Sequence, residues 1–218
     1  DGGKMEFQEY MERLRAAFIN DRYADEIKRA KEEFIAAGGE LGNGVEGYQE
    51  VLDIFFDWYI FERRQSEEGF TPLQLFIRDG GISGEEKKIY SCFENSIHSA
   101  FVVKKAYTSA INIKVTDMFS KNKYLVDSTS KALFEKGDIV EARLLPFAGG
   151  YRFSGAFCFY PDTICGIMKA KIKEARKKGG GNSGALLAKF RKLKTIWSRC
   201  SNMDIKKVHA LMEEGLIA

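Results

Sequence analysis

The sequence predicts an α+β fold: N-terminal helices, a small antiparallel β barrel or curled sheet of about five strands, and basic C-terminal helices. Apolar residues recur at steps of three and four before position 100 and after position 160, which is typical of amphipathic helices. Between these parts, short β-branched and aromatic runs follow one another, with apolar residues at alternate positions. Because these runs are not interleaved with helices, the pattern argues against a parallel sheet of βαβ units.

The N-terminal part is predicted to consist of helices. The helix at 45–64 is apolar around most of its circumference and is therefore expected to be the most buried of them. Thr71-Pro72-x-Gln74 and Ser83-x-x-Glu86 have the capping-box pattern, and each predicts the start of a further helix. The helix after Ser83 is expected to continue through Ile97. The helices before these two are predicted over residues 5–20, 22–37 and 45–64.

The clearest strand signal is the stretch 133–160. An apolar run from Ile139 to Leu145 ends at Pro146, and Gly149-Gly150 permits a tight reversal. Aromatic and polar residues then alternate, so an antiparallel hairpin is predicted over 138–145 and 151–159. A lone hairpin is marginal in water, so other strands must accompany it. These are predicted at 101–103, 111–115 and 124–126.

The C-terminal part carries most of the positive charge. From residue 161 to 218 there are 13 Lys and Arg against 5 Asp and Glu, or +8. The preceding 160 residues carry 21 against 26, or −5, which gives the net charge of +3. A basic part beside an acidic one predicts either contact with nucleic acid or internal charge complementarity. Helices are predicted here at about 161–177, 185–199 and 203–214.

Domain boundaries and location follow from composition. The parts 1–100, 101–160 and 161–218 are interpreted as three units or as one domain. No stretch approaches the roughly 18 uncharged apolar residues that a membrane span needs. No basic segment followed by an apolar one stands at the N-terminus, where the residues before Met5 resemble a tag remnant. The four cysteines are scattered along the chain and are interpreted as free thiols of a cytoplasmic protein: Cys92, Cys158, Cys165 and Cys200.

The basic helices supply the predicted binding residues. Clustered Lys and Arg release counterions when they meet a phosphate backbone, which favours nucleic-acid binding. A solvated helix face, or a face docked on acidic residues, is the alternative interpretation of the same cluster. The predicted nucleic-acid contacts are Lys169, Lys173, Arg176, Lys177, Lys189 and Lys192.

Metal sites are disfavoured by spacing. Carboxylates one helical turn apart can share a cation, but the chain lacks the Glu-x-x-His pairs of di-metal bundles, so a salt-bridged face is expected. No C-x2-4-C pair occurs, so a zinc site is not predicted either. The carboxylates in question form an acidic stripe on the central helix: Glu46, Glu50, Asp53 and Asp57.

Catalytic residues are not predicted. Neither His98 nor His209 stands in a pattern that marks it as the base of a nucleophile, and no G-x-S-x-G motif occurs. The glycine-rich segment from Gly179 to Gly184 has P-loop spacing at its start. Ala185-Leu186 stand where Lys and Ser or Thr would contact phosphate and magnesium, so a helix connection is predicted instead.

Three segments together resemble a group of uncharacterised bacterial proteins. They are Phe56-Asp57-Trp58-Tyr59-Ile60-Phe61, Thr71-Pro72-Leu73, and Leu133-x3-Gly137-Asp138-Ile139-Val140-x-Ala142-Arg143-Leu144-Leu145-Pro146. Proteins of that group have a helical N-terminal part followed by a small β unit, and some carry a Cys-rich zinc motif of the SEC-C type. This chain has no such motif, and the resemblance implies neither an activity nor a site.

The sequence predicts a non-enzymatic binding or protein-interaction module of the bacterial cytoplasm, with no cofactor and no membrane contact. Nucleic-acid binding through the C-terminal helices is the alternative hypothesis, and a metal-dependent or hydrolytic enzyme is the third. The identity of a protein partner and the oligomeric state stay open.

Overall fold

The centre of the fold is a ring of five strands, counted over the residues that the structure describes. The structure is a computed structural model that describes residues 6–38, 48–65, 69–106, 112–127, 134–179, 183–200 and 202–216. The ring follows the order β1-β2-β3-β5-β4, and β4 pairs in turn with β1. The predicted fold class is confirmed. The strands are β1 (Ile97–Ala106), β2 (Asn112–Asp117), β3 (Lys123–Asp127), β4 (Ile139–Phe147) and β5 (Gly150–Tyr160).

The ring closes through two pairings that the sequence pattern does not specify. β1 is long enough to pair with β4 from Ile97 to Val102 and with β2 along its second half. β3 and β5 meet in a short parallel contact, where Val126 faces Tyr151. An entirely antiparallel unit was predicted, and it is wrong at this junction. Because β4 crosses over to pair with β1, the next reversal leaves β5 running in the direction of β3. This is the connectivity of the OB-fold, which hosts many functions.

The predicted hairpin is confirmed as β4 and β5, which are antiparallel. Its turn residues Ala148 and Gly149 have φ of 51° and 78°, the positive values that a type I′ turn requires at both positions. The strand was predicted to end at Leu145, just before Pro146, but it continues to Phe147. Pro146 is tolerated because β1 pairs with β4 only as far as Leu144. At position 146 β1 therefore offers no acceptor for the backbone N–H that proline lacks.

β4 is buried on both of its faces, from Ile139 to Leu145. One face points into the ring, where Val140 and Leu144 join an apolar cluster with strands from the rest of the ring. The other face belongs to a larger cluster shared with the helices, which includes Leu145. Burial on both sides explains the nearly continuous apolar sequence of this strand. It also makes its two charged residues, Glu141 and Arg143, conspicuous.

Eight α-helices lie outside the ring, counted over the described residues. Both predicted capping boxes are present, at Thr71 before α4 and at Ser83 before α5. The expectation that α5 continues to Ile97 is wrong, because that residue already pairs with Leu144 as the first residue of β1. The helices are α1 (Phe7–Phe18), α2 (Ala24–Ala36), α3 (Tyr48–Phe61), α4 (Pro72–Asp79), α5 (Gly84–Phe93), α6 (Asp162–Lys177), α7 (Ser183–Arg199) and α8 (Ile205–Glu213).

Helices from both ends of the chain pack on the same side of the ring. Phe55 of α3, Leu193 of α7 and Tyr160 of β5 belong to one buried cluster, together with residues of α1, α4, α5, α6 and α8. The apolar helix predicted at 45–64 is observed as α3, where Phe55 and Tyr59 are fully buried. None of the described helices combines the length and hydropathy that crossing a bilayer requires.

Candidate functional site

The basic residues of α6 form an exposed row. Lys169, Lys173, Arg176 and Lys177 are exposed, and none of them forms an ion pair with another described residue. Their spacing of four, three and one residues puts them on one face of the helix, which we call the α6 stripe. The opposite face is buried and apolar, with Ile164, Met168 and Ile172.

Two basic residues of α7 point inward instead. Arg191 is 6% exposed, and its guanidinium forms an ion pair with Glu141 of β4. Lys194 forms an ion pair with Glu50 at the start of α3. These pairs are the internal complementarity that the charge distribution suggested as the alternative to nucleic-acid contact. The alternative interpretation therefore applies to these two residues of α7, whereas nucleic-acid contact stays a prediction for α6.

The other two predicted nucleic-acid contacts lie on α7, not on the stripe. Lys189 is exposed, and its Nζ lies 3.9 Å from the carboxylate of Glu213 in α8. The same carboxylate lies 3.2 Å from Nζ of Lys171. Lys192 is half-buried and has no ion pair among the described residues. The structure thus brings four of the six predicted residues together on one helix face.

The acidic stripe of α3 is salt-bridged or hydrogen-bonded. Glu50 pairs with Lys194, Asp53 accepts a hydrogen bond of 2.8 Å from Gln49, and Asp57 is buried. Glu46, the fourth member, lies outside the described residues. Within the described ranges, no group of three or more His, Cys, Asp and Glu side chains is arranged to hold a metal ion.

An ion network lies between α3, the β1–β4 pair and α7, and it is buried except at Glu62, whose side chain is 35% exposed. Arg143 of β4 donates from Nε to Asp57 at 2.6 Å and from Nη1 to the hydroxyl of Ser96 at 3.1 Å. Its Nη2 donates to Glu62, just after α3. Asp57 and Arg143 are each 3% exposed. The network has six members: Asp57, Glu62, His98, Glu141, Arg143 and Arg191.

His98 of β1 connects the two halves of the network. Its Nδ1 lies 2.7 Å from Glu62, and its Nε2 lies 2.9 Å from Glu141. Glu141 is fully buried and also accepts hydrogen bonds from Arg191 and, at 2.8 Å, from the hydroxyl of Tyr160. The histidine is thus held between two carboxylates, although no sequence pattern marked it as paired.

The network is electrically neutral only when His98 carries a proton. Its three carboxylates face two guanidinium groups, so an imidazolium completes the balance. Burial would lower the pKa of His98, but hydrogen bonds to Glu141 and Glu62 outweigh it and raise the pKa. Burial would raise the pKa of Glu141, yet Arg191 and His98 lower it to about 2. The ionised form of the network is therefore the favoured one.

This arrangement is suited to holding elements together rather than to catalysis. Each carboxylate of the network is already bound by a guanidinium or an imidazole. The nearest thiol, Cys158, is buried, and burial raises its pKa to about 12, so it is not a thiolate nucleophile at neutral pH. Burial and the Glu141 charge also raise the pKa of Tyr160.

A local signal for the network was present in the sequence. Glu141 and Arg143 are two charged residues within an apolar run that was predicted to be a strand. Buried charges need partners, so each required an opposite charge from elsewhere in the fold. The identity of those partners, Asp57 and Arg191 among them, depends on the tertiary arrangement and has no local signature.

The glycine-rich segment does connect two helices, as predicted. α6 is followed by Gly179, and α7 begins at Ser183. Residues 180–182 lie outside the described part of the chain. The start of α7 borders an open depression of about 340 Å³ that is also lined by Arg143 and His98. Two acidic side chains, Glu62 and Glu94, line it too, which disfavours a bound phosphate.

The fold and these two sites define an α+β protein in which a five-stranded ring is joined to its helices by a buried ion network and carries an exposed basic helix. The chain belongs to the family of unknown function DUF7986, whose family model matches residues 8–191. The matched span includes all six residues of the network and the α6 stripe. Comparisons with curated proteins and with solved structures find no match.

Proposed function

We propose that this protein is a non-enzymatic binding protein whose ligand is a nucleic acid, held on the α6 stripe. The observation that carries the proposal is that some basic residues are paired inside the protein, whereas others are exposed and unpaired. Arg191 and Lys194 form ion pairs with carboxylates of the protein itself, whereas the four residues of the stripe have no ion-pair partner in the described structure. A row of unpaired cations on one rigid helix is suited to a polyanion.

The geometry of the stripe favours phosphate contacts over base contacts. From Lys169 to Lys177 the helix rises about 12 Å, at roughly 1.5 Å per residue. Lysine and arginine on an exposed helix face neutralise phosphates without reading sequence. The proposed mode is therefore backbone binding with little sequence preference, and the affinity must depend strongly on salt.

A second basic surface on the ring supports the same class of ligand. The outward faces of β2 and β3 carry exposed Lys114 and Lys123. Leu125, which faces Lys114 across the two strands, is 54% exposed. In OB-folds this face of strands 2 and 3 is a common place for oligonucleotides, so the analogy of connectivity favours a contact here. The analogy is one of fold alone.

The test is a titration of a labelled single-stranded and a labelled double-stranded oligonucleotide at several salt concentrations. We expect binding at low salt that weakens linearly in a plot of log affinity against log salt. The double variant Lys173→Glu with Arg176→Glu should reduce the steepness of that plot by about two units, because each phosphate contact contributes roughly one. The pair Lys114→Glu with Lys123→Glu reports whether the ring face takes part.

The matched control reverses two charges elsewhere. Lys28 of α2 and Lys87 of α5 are exposed and lie outside both basic surfaces, so Lys28→Glu with Lys87→Glu should leave the salt dependence unchanged. Equal loss in the control and the stripe variant would show that only net charge matters and would refute a site on α6. Absence of binding by the folded wild type at low salt would refute the nucleic-acid ligand and leave a protein partner as the alternative.

A further inference from the structure

A cleft of about 370 Å³ lies between the start of α3, the end of β5 and one face of α7. Its walls include the side chains of Val51, Pro161 and Trp197. The charged groups that line it are Glu50, Arg191 and Lys194. A small cleft with apolar walls and a few convergent polar groups has the usual character of a small-molecule site. None of these residues belongs to the α6 stripe.

Arg191 brings an unsatisfied donor to this cleft. Its Nη1 donates to Glu141, and its guanidinium lies 5.2 Å from the ring centre of Phe34. Its Nε is buried and has no hydrogen-bond partner. The residue as a whole is 6% exposed. A buried N–H without a partner is unfavourable, so an acceptor that reached it would be bound with a gain in free energy.

Lys194 holds a carboxylate that can be exchanged. Its ammonium is bound by Glu50, whose side chain is 38% exposed, whereas the side chain of Lys194 is 23% exposed. The Nζ also lies 3.8 Å from the Cys158 sulfur. Glu50 is thus the solvent-facing member of the pair. An outward rotamer of Glu50 would hydrate its charge and would leave Lys194 available to another anion.

We propose that this cleft binds a small organic acid with one carboxylate and an apolar body. The carboxylate takes the place of Glu50 at Lys194 and accepts from Nε of Arg191, while the apolar body packs against Val51, Pro161 and Trp197. A single negative charge suits the site, because it replaces the charge of Glu50 one for one. A phosphate dianion would leave an excess negative charge close to Glu141.

The experiment uses the full chain and four simple probes: phenylacetate, hexanoate and their uncharged amides. Binding is measured by calorimetry and by the NMR signals of the two indole N–H groups. Trp197 lines the cleft, whereas Trp58 packs against Phe34 and serves as the internal reference. We expect both acids to bind and to shift the Trp197 signal, and both amides to bind at least about tenfold more weakly, as expected for a lost charged hydrogen bond.

Two variants locate the carboxylate. Lys194→Met should weaken the acids by about tenfold or more without affecting the amides. Glu50→Gln should tighten the acids, because the competing carboxylate is gone, and a merely structural role would not produce that gain. Lys206→Met on α8, an exposed lysine outside the cleft, is the control and should bind as the wild type does.

Each outcome decides the proposal. Tighter binding by Glu50→Gln supports it even where Lys194→Met does not fold. Equal affinity for acids and amides, a shift confined to Trp58, or no binding of either acid at millimolar concentration would overturn it. So would unchanged affinity of a folded Lys194→Met variant.

Discussion

The helices α6 and α7 are neighbours in sequence, and each contains five basic residues, yet they use them differently. On α6 the buried face is wholly apolar and the stripe faces solvent. On α7 the buried set includes Arg191, because the helix lies where a carboxylate of the ring has to be neutralised. The comparison shows that charge composition does not decide the role of a basic helix. What decides it is whether the facing element carries an opposite charge.

The largest expected effect is the loss of the Arg191 charge. Arg191→Met keeps a long apolar side chain but leaves fully buried Glu141 without its guanidinium. Removing one partner of a buried ion pair costs about 3–5 kcal/mol, so we expect a loss of that size in the free energy of unfolding in urea. Arg176→Met on α6 is the matched control and should change stability by less than about 0.5 kcal/mol. Similar losses for both variants would remove the distinction between the helices.

The next effect is a pH dependence that belongs to the network alone. The pKa of His98 is raised above its ordinary value of 6.5, so its stabilising contribution is complete below pH 6.5 and is lost as pH rises through the raised pKa. The pKa values of Glu62 and Glu141 are lowered to about 2, so their contribution is present above 4.5 and is lost as pH falls toward 2. The network should therefore contribute most between pH 4.5 and 6.5.

Urea unfolding from pH 3 to 9 checks this dependence, together with NMR titration of the His98 ring. His98→Gln, which cannot be protonated, should abolish the alkaline loss of stability while keeping the acid loss. His209, whose pKa burial lowers, provides the contrast, and His209→Gln should leave the alkaline loss intact. A pKa below 6.5 for the His98 ring in the folded protein would contradict the proposed imidazolium.

A smaller loss of stability is expected when the half-buried ion pair between Lys194 of α7 and Glu50 of α3 is removed. Lys194→Met leaves Glu50 with access to water, since that side chain is 38% exposed. Exposed or half-exposed ion pairs contribute roughly 0.2–1 kcal/mol, so the loss of stability should lie in that range. Thermal unfolding in low and high salt measures it, and a loss above about 3 kcal/mol would place this pair with the buried network instead.

The smallest effect on stability is expected for the α6 stripe. Lys173→Glu with Arg176→Glu should change the free energy of unfolding by less than about 0.5 kcal/mol, because neither side chain is buried or paired in the described structure. The same protein should show the reduced salt dependence of oligonucleotide binding. A large loss of stability would mean that the stripe is structural, in contradiction to its proposed role.

Much of the fold could be predicted from local sequence. Capping boxes at Thr71 and Ser83, and the turn glycine at position 149, act within a few residues and need no tertiary information. The crossover of β4 to β1 and the parallel contact at Val126 could not be predicted. They depend on which strand edges meet in three dimensions, and a period-two pattern does not contain that information.

The candidate sites were predictable to different degrees. Steps of four and three residues place Lys169, Lys173 and Arg176 on one face of any helix, so the stripe follows from the sequence. The sequence does not show that Arg191, unlike the residues of the stripe, is buried in an ion pair, because its partner Glu141 is fifty residues away. The same holds for Arg143 and Asp57, which are 86 residues apart.

The burial of Glu141 has a consequence for the order of events while the chain is being synthesised. Arg191 is added fifty residues after Glu141. At roughly 5–20 residues per second, the ribosome takes several seconds to cover that interval. A nascent ring that closed earlier would enclose a carboxylate lacking one of its cationic partners, which is costly. We expect the newly made strands to wait, partly open, until α7 emerges and Arg191 can pair with Glu141.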